Sequence, residues 1–169
     1  FGHALLIAGS KGKMGAAQLA AKACLRSGAG LLTVHVPAKG GNILQTAFPE
    51  AMLSFDNNAE HFSSVPDSGS YSAVGIGPGL GQHMDSAAAF ERLLQQKTKA
   101  LVIDADAINM LASNNELIKK VPPLSILTPH PKEFDRIAGE SSTSYERLLK
   151  ARAFAMEHSL CIVLKGAYT

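Results

Sequence analysis

With 169 residues, 46% of them hydrophobic and 18% charged, the chain has the composition of a soluble globular protein and the length of one domain with a substantial core. The formal net charge is +2 and the 16 basic residues are scattered, the densest pairs being Lys11/Lys13 and Lys119/Lys120. That excludes a nucleic-acid or membrane-surface footprint and leaves room for a small anionic ligand.

In chain order, "ALLIAG" (4–9) is a continuous apolar run of the kind that forms a strand buried on both faces. Residues 15–26 then carry an alanine-rich helical pattern, with Gly28 placed to follow its last turn. "LLTVHV" (31–36), "AMLSF" (51–55) and "SAVGIG" (72–77) read as further strands, and 56–70, "DNNAEHFSSVPDSGS", as a polar loop or insertion. Helical spacing returns at 86–96. "ALVIDAD" (100–106), "LSILT" (124–128) and "CIVLK" (161–165) read as three more strands, with helices expected over 132–138 and 144–158. No repeat and no interdomain linker is visible. Strands alternating with helices, too apolar for one wet face, predict an α/β fold with a mostly parallel sheet covered by helices on both faces. Cys24 and Cys161 stand in no metal-binding or redox spacing and are expected as buried thiols in a reducing compartment. With no apolar run of membrane-spanning length and no charged leader, a cytoplasmic location is expected.

In such sheets ligands gather beyond the carboxyl ends of the strands, so the stretches directly after the strand runs carry the functional information. "GSKGKMGAA" (9–17) either offers backbone N–H groups to an anion or is an ordinary strand-to-helix turn. Its spacing is not that of a P-loop. "GIGPGLG" (75–81) is not the dinucleotide fingerprint, because the last glycine position falls on Leu80 or Gln82; Gly77 and Gly79 would still let a flat ring approach the main chain. Asp104 and Asp106 sit where a strand becomes a helix, as capping residues or as a magnesium or water-ordering pair. His130 lies between Pro129 and Pro131, each of which biases its predecessor towards extended backbone. The site makes a good helix start, with Pro131 at the first helical position and Glu133 at the positive end of the dipole. Serine, threonine or aspartate would cap better, so the histidine points to a contact role. Lys165 in "LKGAYT" suits a nucleotide loop or a plain turn.

Taken together and in this order, "GSKGKMGAAQLAAKACLRSGAGLLTV", "GIGPGLG", "VIDADAINML", "TPHPKEF" and "VLKGAYT" resemble the ADP- or ATP-dependent NAD(P)H-hydrate dehydratases, a branch of the ribokinase-like superfamily. The resemblance runs over nearly the whole chain, with "PHPKEF" and "SGAGL" its most specific blocks. It implies a ribokinase-like fold and a repair enzyme that removes water from the hydrated nicotinamide ring of NADH or NADPH. Phosphorylation of the ring hydroxyl by ADP or ATP, with Mg²⁺ assisting, would turn a poor leaving group into phosphate that the enamine nitrogen expels. Carried over by position, it implies that Ala16, Gly79 and His130 touch the hydrated dinucleotide, and that Lys165, Gly166, Ala167, Tyr168 and Thr169 border the adenine nucleotide. It also implies a homo-oligomer.

Family members continue past the equivalent of Thr169 into a "GSGD"-type segment carrying the catalytic aspartate, and they begin before Phe1. The expectation is therefore a single dehydratase-like domain over 1–169 that lacks its catalytic base and turns over little. Two rivals remain at this level: a vitamin-precursor or sugar kinase of the same superfamily, and a non-catalytic nucleotide-binding module.

Overall fold

The apolar runs become seven parallel strands in one sheet of order β3-β2-β1-β4-β5-β6-β7. The computed structural model describes residues 2–96 and 99–166. The strands are β1 (His3–Ile7), β2 (Leu31–Val36), β3 (Met52–Phe55), β4 (Ala73–Ile76), β5 (Leu101–Ile103), β6 (Ile126–Leu127) and β7 (Cys161–Ile162). The last two are shorter than their apolar runs. Backbone bonds from Cys161, Val163 and Lys165 to Ser125, Leu127 and Pro129 nevertheless carry the pairing on to Lys165. The helices are α1 (Met14–Arg26), α2 (Gly41–Ala47), α3 (Met84–Gln95), α4 (Ala105–Ser113), α5 (Pro131–Ala138) and α6 (Ser144–His158). Gly28 takes φ +99°, as a residue just past a helix end should. The short α2 had no distinct signal, because seven residues opening on glycine with only Leu44 of its large side chains buried give too little periodicity.

The α/β expectation holds, with helices on both faces, although not evenly. Leu5 and Ile7 of β1, with Val74, Ile76, Leu101 and Ile103, pack with residues of α3 and α4; Leu32, Val34 and Val36 of β2 pack with Ala17, Ala21 and Leu44 of α1 and α2. On the second face the register row Leu6–Gly75–Val102–Ile126–Cys161 runs out from under α1. Val102 is 40% exposed. Cys161 lies in that row and is exposed, and Cys24 on α1 is only half-buried, which corrects the expectation of two buried thiols. Among the described residues no helix is long and apolar enough to cross a membrane.

The 56–70 stretch contains no helix or strand, yet it is more than a surface insertion. It leads from edge strand β3 back to β4 and buries Phe62 in the main core. Thr33 and His35 of β2 point to that same face, in register with Leu5 and Ile7. His35 is 3% exposed and its Nε2 lies 3.2 Å from Asp56 Oδ2, with its Nδ1 3.0 Å from Ser54 Oγ. The Asp56 carboxylate also accepts from the backbone N–H groups of Asn58, Ser63 and Ser64 and from the Ser63 hydroxyl. Burial alone would raise the Asp56 carboxyl, but these hydrogen bonds outweigh it and hold the group at about 2. Burial lowers the His35 imidazole, and Asp56 only partly offsets that.

Candidate active site at the carboxyl rim of the sheet

The chain leaves β1 towards β2 on one side and places β4 on the other, so the sheet order reverses between β1 and β4. Loops diverge there and open a crevice at the carboxyl ends of the strands. The loops after β1 and β4 are stitched across it. Gly9 N–H donates to the Pro78 carbonyl at 2.8 Å, and Ser10 Oγ donates to the Gly79 carbonyl at 2.7 Å.

The two glycines expected to admit a flat ring are used first by the protein itself. Gly77 has φ +134°, and a Cβ there would lie 1.7 Å from the Asp104 carbonyl oxygen. Gly79 has φ +67°, and a Cβ would lie 2.8 Å from the Lys13 carbonyl and 2.9 Å from Ala16 Cβ. Their lack of side chains lets the β4 loop pack against the starts of α4 and α1. Ala16 and Gly79 are therefore brought together.

Asp104 occupies the N-cap position of α4, but its side chain makes no capping bond. Its Oδ1 instead receives Lys165 Nζ at 2.6 Å, across 61 residues of sequence. Asp106 accepts from Gly81 N–H at 2.8 Å and lies 3.4 Å from Lys13 Nζ. The plain capping reading is thereby replaced: the two carboxylates tie the loops after β1, β4 and β5 to the chain beyond β7. Neither Asp104 Oδ2 nor Asp106 Oδ1 has a hydrogen bond among the described residues. No group of three or more His, Cys, Asp or Glu able to hold a metal occurs among them. Magnesium is usually held by one or two carboxylates with substrate phosphates supplying other oxygens, so this pair fits such an ion bound together with a nucleotide.

His130 is the N-cap of α5, and a reciprocal capping box explains why two prolines flank it. Nδ1 accepts from Glu133 N–H at 3.3 Å, while Glu133 Oε2 accepts from His130 N–H at 2.9 Å. With Nδ1 accepting, a neutral ring carries its proton on Nε2, which lies 3.3 Å from Glu133 Oε1; the imidazole is 46% exposed and Glu133 is buried. The histidine caps a helix and presents one ring edge at the rim. Lys165 N–H bonds the Pro129 carbonyl at 2.9 Å, so the β7 extension runs directly beside it.

The structure therefore forms two contiguous groups: Ala16 with Gly79, and His130 with Lys165, joined through Asp104. No hydrogen bond or ring contact links His130 to Gly79 among the described residues, and β5 stands between their strands, placing them about 10 Å apart. Lys165 and Gly166 line a groove of about 450 Å³ with Pro131, Tyr145 and Leu148. Ala167, Tyr168 and Thr169 lie outside the described residues. Tyr145, 70% exposed at this groove, was not singled out by sequence, where a tyrosine opening a helix carries no signal.

An all-parallel seven-stranded sheet of this order, with loops converging on its switch point, defines an α/β protein of ribokinase-like fold. A ribokinase-like superfamily protein from Enterococcus faecalis V583 superposes with a TM-score of 0.77 at 28% identity, over 98% of this chain and 57% of that one. The sequence pattern of the NAD(P)H-hydrate dehydratases matches residues 4–169, and the chain belongs to that family. The bifunctional NAD(P)H-hydrate repair enzyme Nnr of Gloeobacter violaceus is 34% identical over 99% of this chain and 33% of its own length. The ADP-dependent (S)-NAD(P)H-hydrate dehydratase of Staphylococcus aureus is 36% identical over 87% of this chain and 53% of its own. The ADP/ATP-dependent NAD(P)H-hydrate dehydratase from Bacillus subtilis, co-crystallized with ATP and Mg²⁺ and soaked with CoA, superposes with a TM-score of 0.77 at 30% identity, over 98% of this chain and 60% of that one. This chain thus spans between a third and three fifths of the relatives it matches.

Proposed function

We propose that the chain carries the rim of an ADP- or ATP-dependent NAD(P)H-hydrate dehydratase, acting on the hydrated forms of NADH and NADPH. The observation that carries the reading is the Asp104–Lys165 pair, which joins the loop after β5 to the chain beyond β7 beside His130 and across from Gly77. Lys165 and Gly166, with Ala167, Tyr168 and Thr169, border the adenine nucleotide, and the ammonium faces its phosphates. Ala16, Gly79 and His130 hold the hydrated dinucleotide, the half-exposed imidazole meeting it by its ring. Asp104 and Asp106 would hold Mg²⁺, which would supply charge stabilisation to the transferred phosphoryl group. Positioning and charge stabilisation are what these residues contribute; the acid-base step needs an aspartate that they do not supply.

We further read the described residues as part of a larger dehydratase domain whose catalytic base lies beyond Thr169. The bare row over β4–β7 and the relatives' greater length support this. A homo-oligomer in the cytoplasm, outside any membrane and without nucleic acid, completes the proposal. Light scattering and fractionation of the native protein address those points.

The central test incubates the chain with hydrated NADH, Mg²⁺ and ADP or ATP, and follows recovery of NADH absorbance, alongside calorimetric titration of each ligand. Binding of both ligands with slow or no turnover is expected. A chain that binds neither, or that phosphorylates other hydroxyl substrates in preference, sinks the assignment.

A further inference from the structure

On the other side of the switch point, over β1–β3, the rim encloses a second cavity of about 200 Å³. Met14, Ile43 and Ala59 give it apolar walls, and Lys11, Lys39 and Glu60 stand at it as the charged groups. Glu60 Oε1 accepts from Lys11 Nζ at 2.9 Å and from Lys39 Nζ at 3.2 Å. Two ammonium groups share one carboxylate, so the mouth keeps one positive charge in excess, with N–H donors to spare. The three loops are cross-tied by Lys11 N–H to the Glu60 carbonyl, Ala38 N–H to that of Asn58 and Lys39 N–H to that of Ala59. Beneath them the buried Asp56 carboxylate gathers the Asn58, Ser63 and Ser64 amides, making the 57–64 wall rigid.

Size and place limit what fits. Pockets that bury a whole drug-sized ligand run to roughly 300–1,000 Å³, so this one takes a single ring system and not a dinucleotide. With neighbouring strands about 4.8 Å apart, β2 lies three spacings from β5, or about 14 Å from the rim position of Asp104. A ring held here is not the ring that reacts beside Asp104 and Lys165. We propose that this cavity takes the adenylate half of the hydrated dinucleotide, its heterocycle against Met14 and Ile43 and a phosphate on Lys11 and Lys39. The assignment rests on the dehydratase reading and adds to it a second anchoring point, remote from the reaction.

The test compares two probes: hydrated NADH, and the hydrated reduced nicotinamide mononucleotide, which lacks the adenylate. Each is titrated into the chain and into Lys39→Ala and Ile43→Trp variants. The parent is expected to prefer the dinucleotide by roughly tenfold or more, and both variants to lose most of that preference. Ile43 is 52% exposed, so tryptophan fills the mouth without entering the core. Lys39→Ala, on a side chain 72% exposed, keeps the test decisive should Ile43→Trp fail to fold. Equal affinity of the parent for the two probes, or a preference that survives in the variants, overturns the cavity assignment and leaves the dehydratase reading standing. A parent that binds neither probe overturns both.

Discussion

Replacing Asp56 by asparagine probes the buried knot that shapes the rim over β1–β3. The carboxyl falls from the ordinary 3.8 to about 2 in the folded chain. Since each tenfold change in proton affinity is worth about 1.4 kcal/mol, the ionised group contributes on the order of 2 kcal/mol of stability. A depressed acid contributes fully above its unfolded pKa, and the contribution disappears as pH falls through the folded one. Asparagine also turns an NH₂ group towards the Ser63 and Ser64 amides, so Asp56→Asn is expected to lose about 2–3 kcal/mol at pH 7. Between pH 5 and pH 3 the deficit relative to the parent should shrink by about 1 kcal/mol, as the carboxyl of the unfolded parent takes up its proton while the folded one is still ionised. His35 adds a second acid-sensitive element with the opposite protonation logic. Its folded pKa lies below the ordinary 6.5, so the unfolded chain binds the proton more readily, and stability falls as pH drops below about 6.5. Urea unfolding followed by circular dichroism at pH 7, 5 and 3 measures both. An Asp56→Asn protein with the parent's midpoint at pH 7, or with a deficit that stays constant down to pH 3, refutes the account of the knot.

Gly77→Ala should be among the most damaging single changes, because the new Cβ falls 1.7 Å from the Asp104 carbonyl at φ +134°. Left-handed strain of about 1–2 kcal/mol and overpacking of about 1–3 kcal/mol combine, and a melting temperature within a degree of the parent's contradicts the packing argument. His130→Asn separates the two roles of the histidine: asparagine caps helices well, so stability should change by less than about 1 kcal/mol while dinucleotide affinity drops. His130→Ala should lose about 1 kcal/mol as well as the affinity. Equal dinucleotide binding by all three proteins confines His130 to capping. Lys165→Met should alter stability little, since its ion pair with Asp104 is partly exposed, yet weaken ADP binding by roughly tenfold or more. Calorimetric titration showing unchanged ADP affinity removes Lys165 from the nucleotide site.

Much of the architecture was legible because the signals are local. LLTVHV spans β2 as read, and residues 144–158 form α6 as read, since strand and helix periodicities are properties of neighbouring residues. The prolines around His130 and Glu133 three residues later identified a helix start, and the capping box is there. Reading histidine as a poor choice for a cap undervalued it: Nδ1 does the work of a serine oxygen. Gly77 and Gly79 were recognised as special for a ligand, and the structure shows a second reason, the close packing of other loops against them. A glycine demanded by a ligand and one demanded by another loop look alike in sequence, and only the placement of Asp104 and Ala16 tells them apart. The cysteines were judged by the apolarity of their neighbours, whereas exposure of Cys161 follows from which sheet face the helices reach.

By itself the sequence determined the alternation of strands and helices, the stretches that end at the rim, and through five ordered motifs the family. All of these are carried by short spacings along the chain. Only the tertiary structure decided that β4 lies beside β1 and not beside β3, that Lys165 meets Asp104, and that His35 in an apolar strand is answered by Asp56. Those pairings depend on where the crossovers carry distant segments. Burial then makes unpartnered charge and polarity too costly to leave unmatched, which is why the folded chain settles on them.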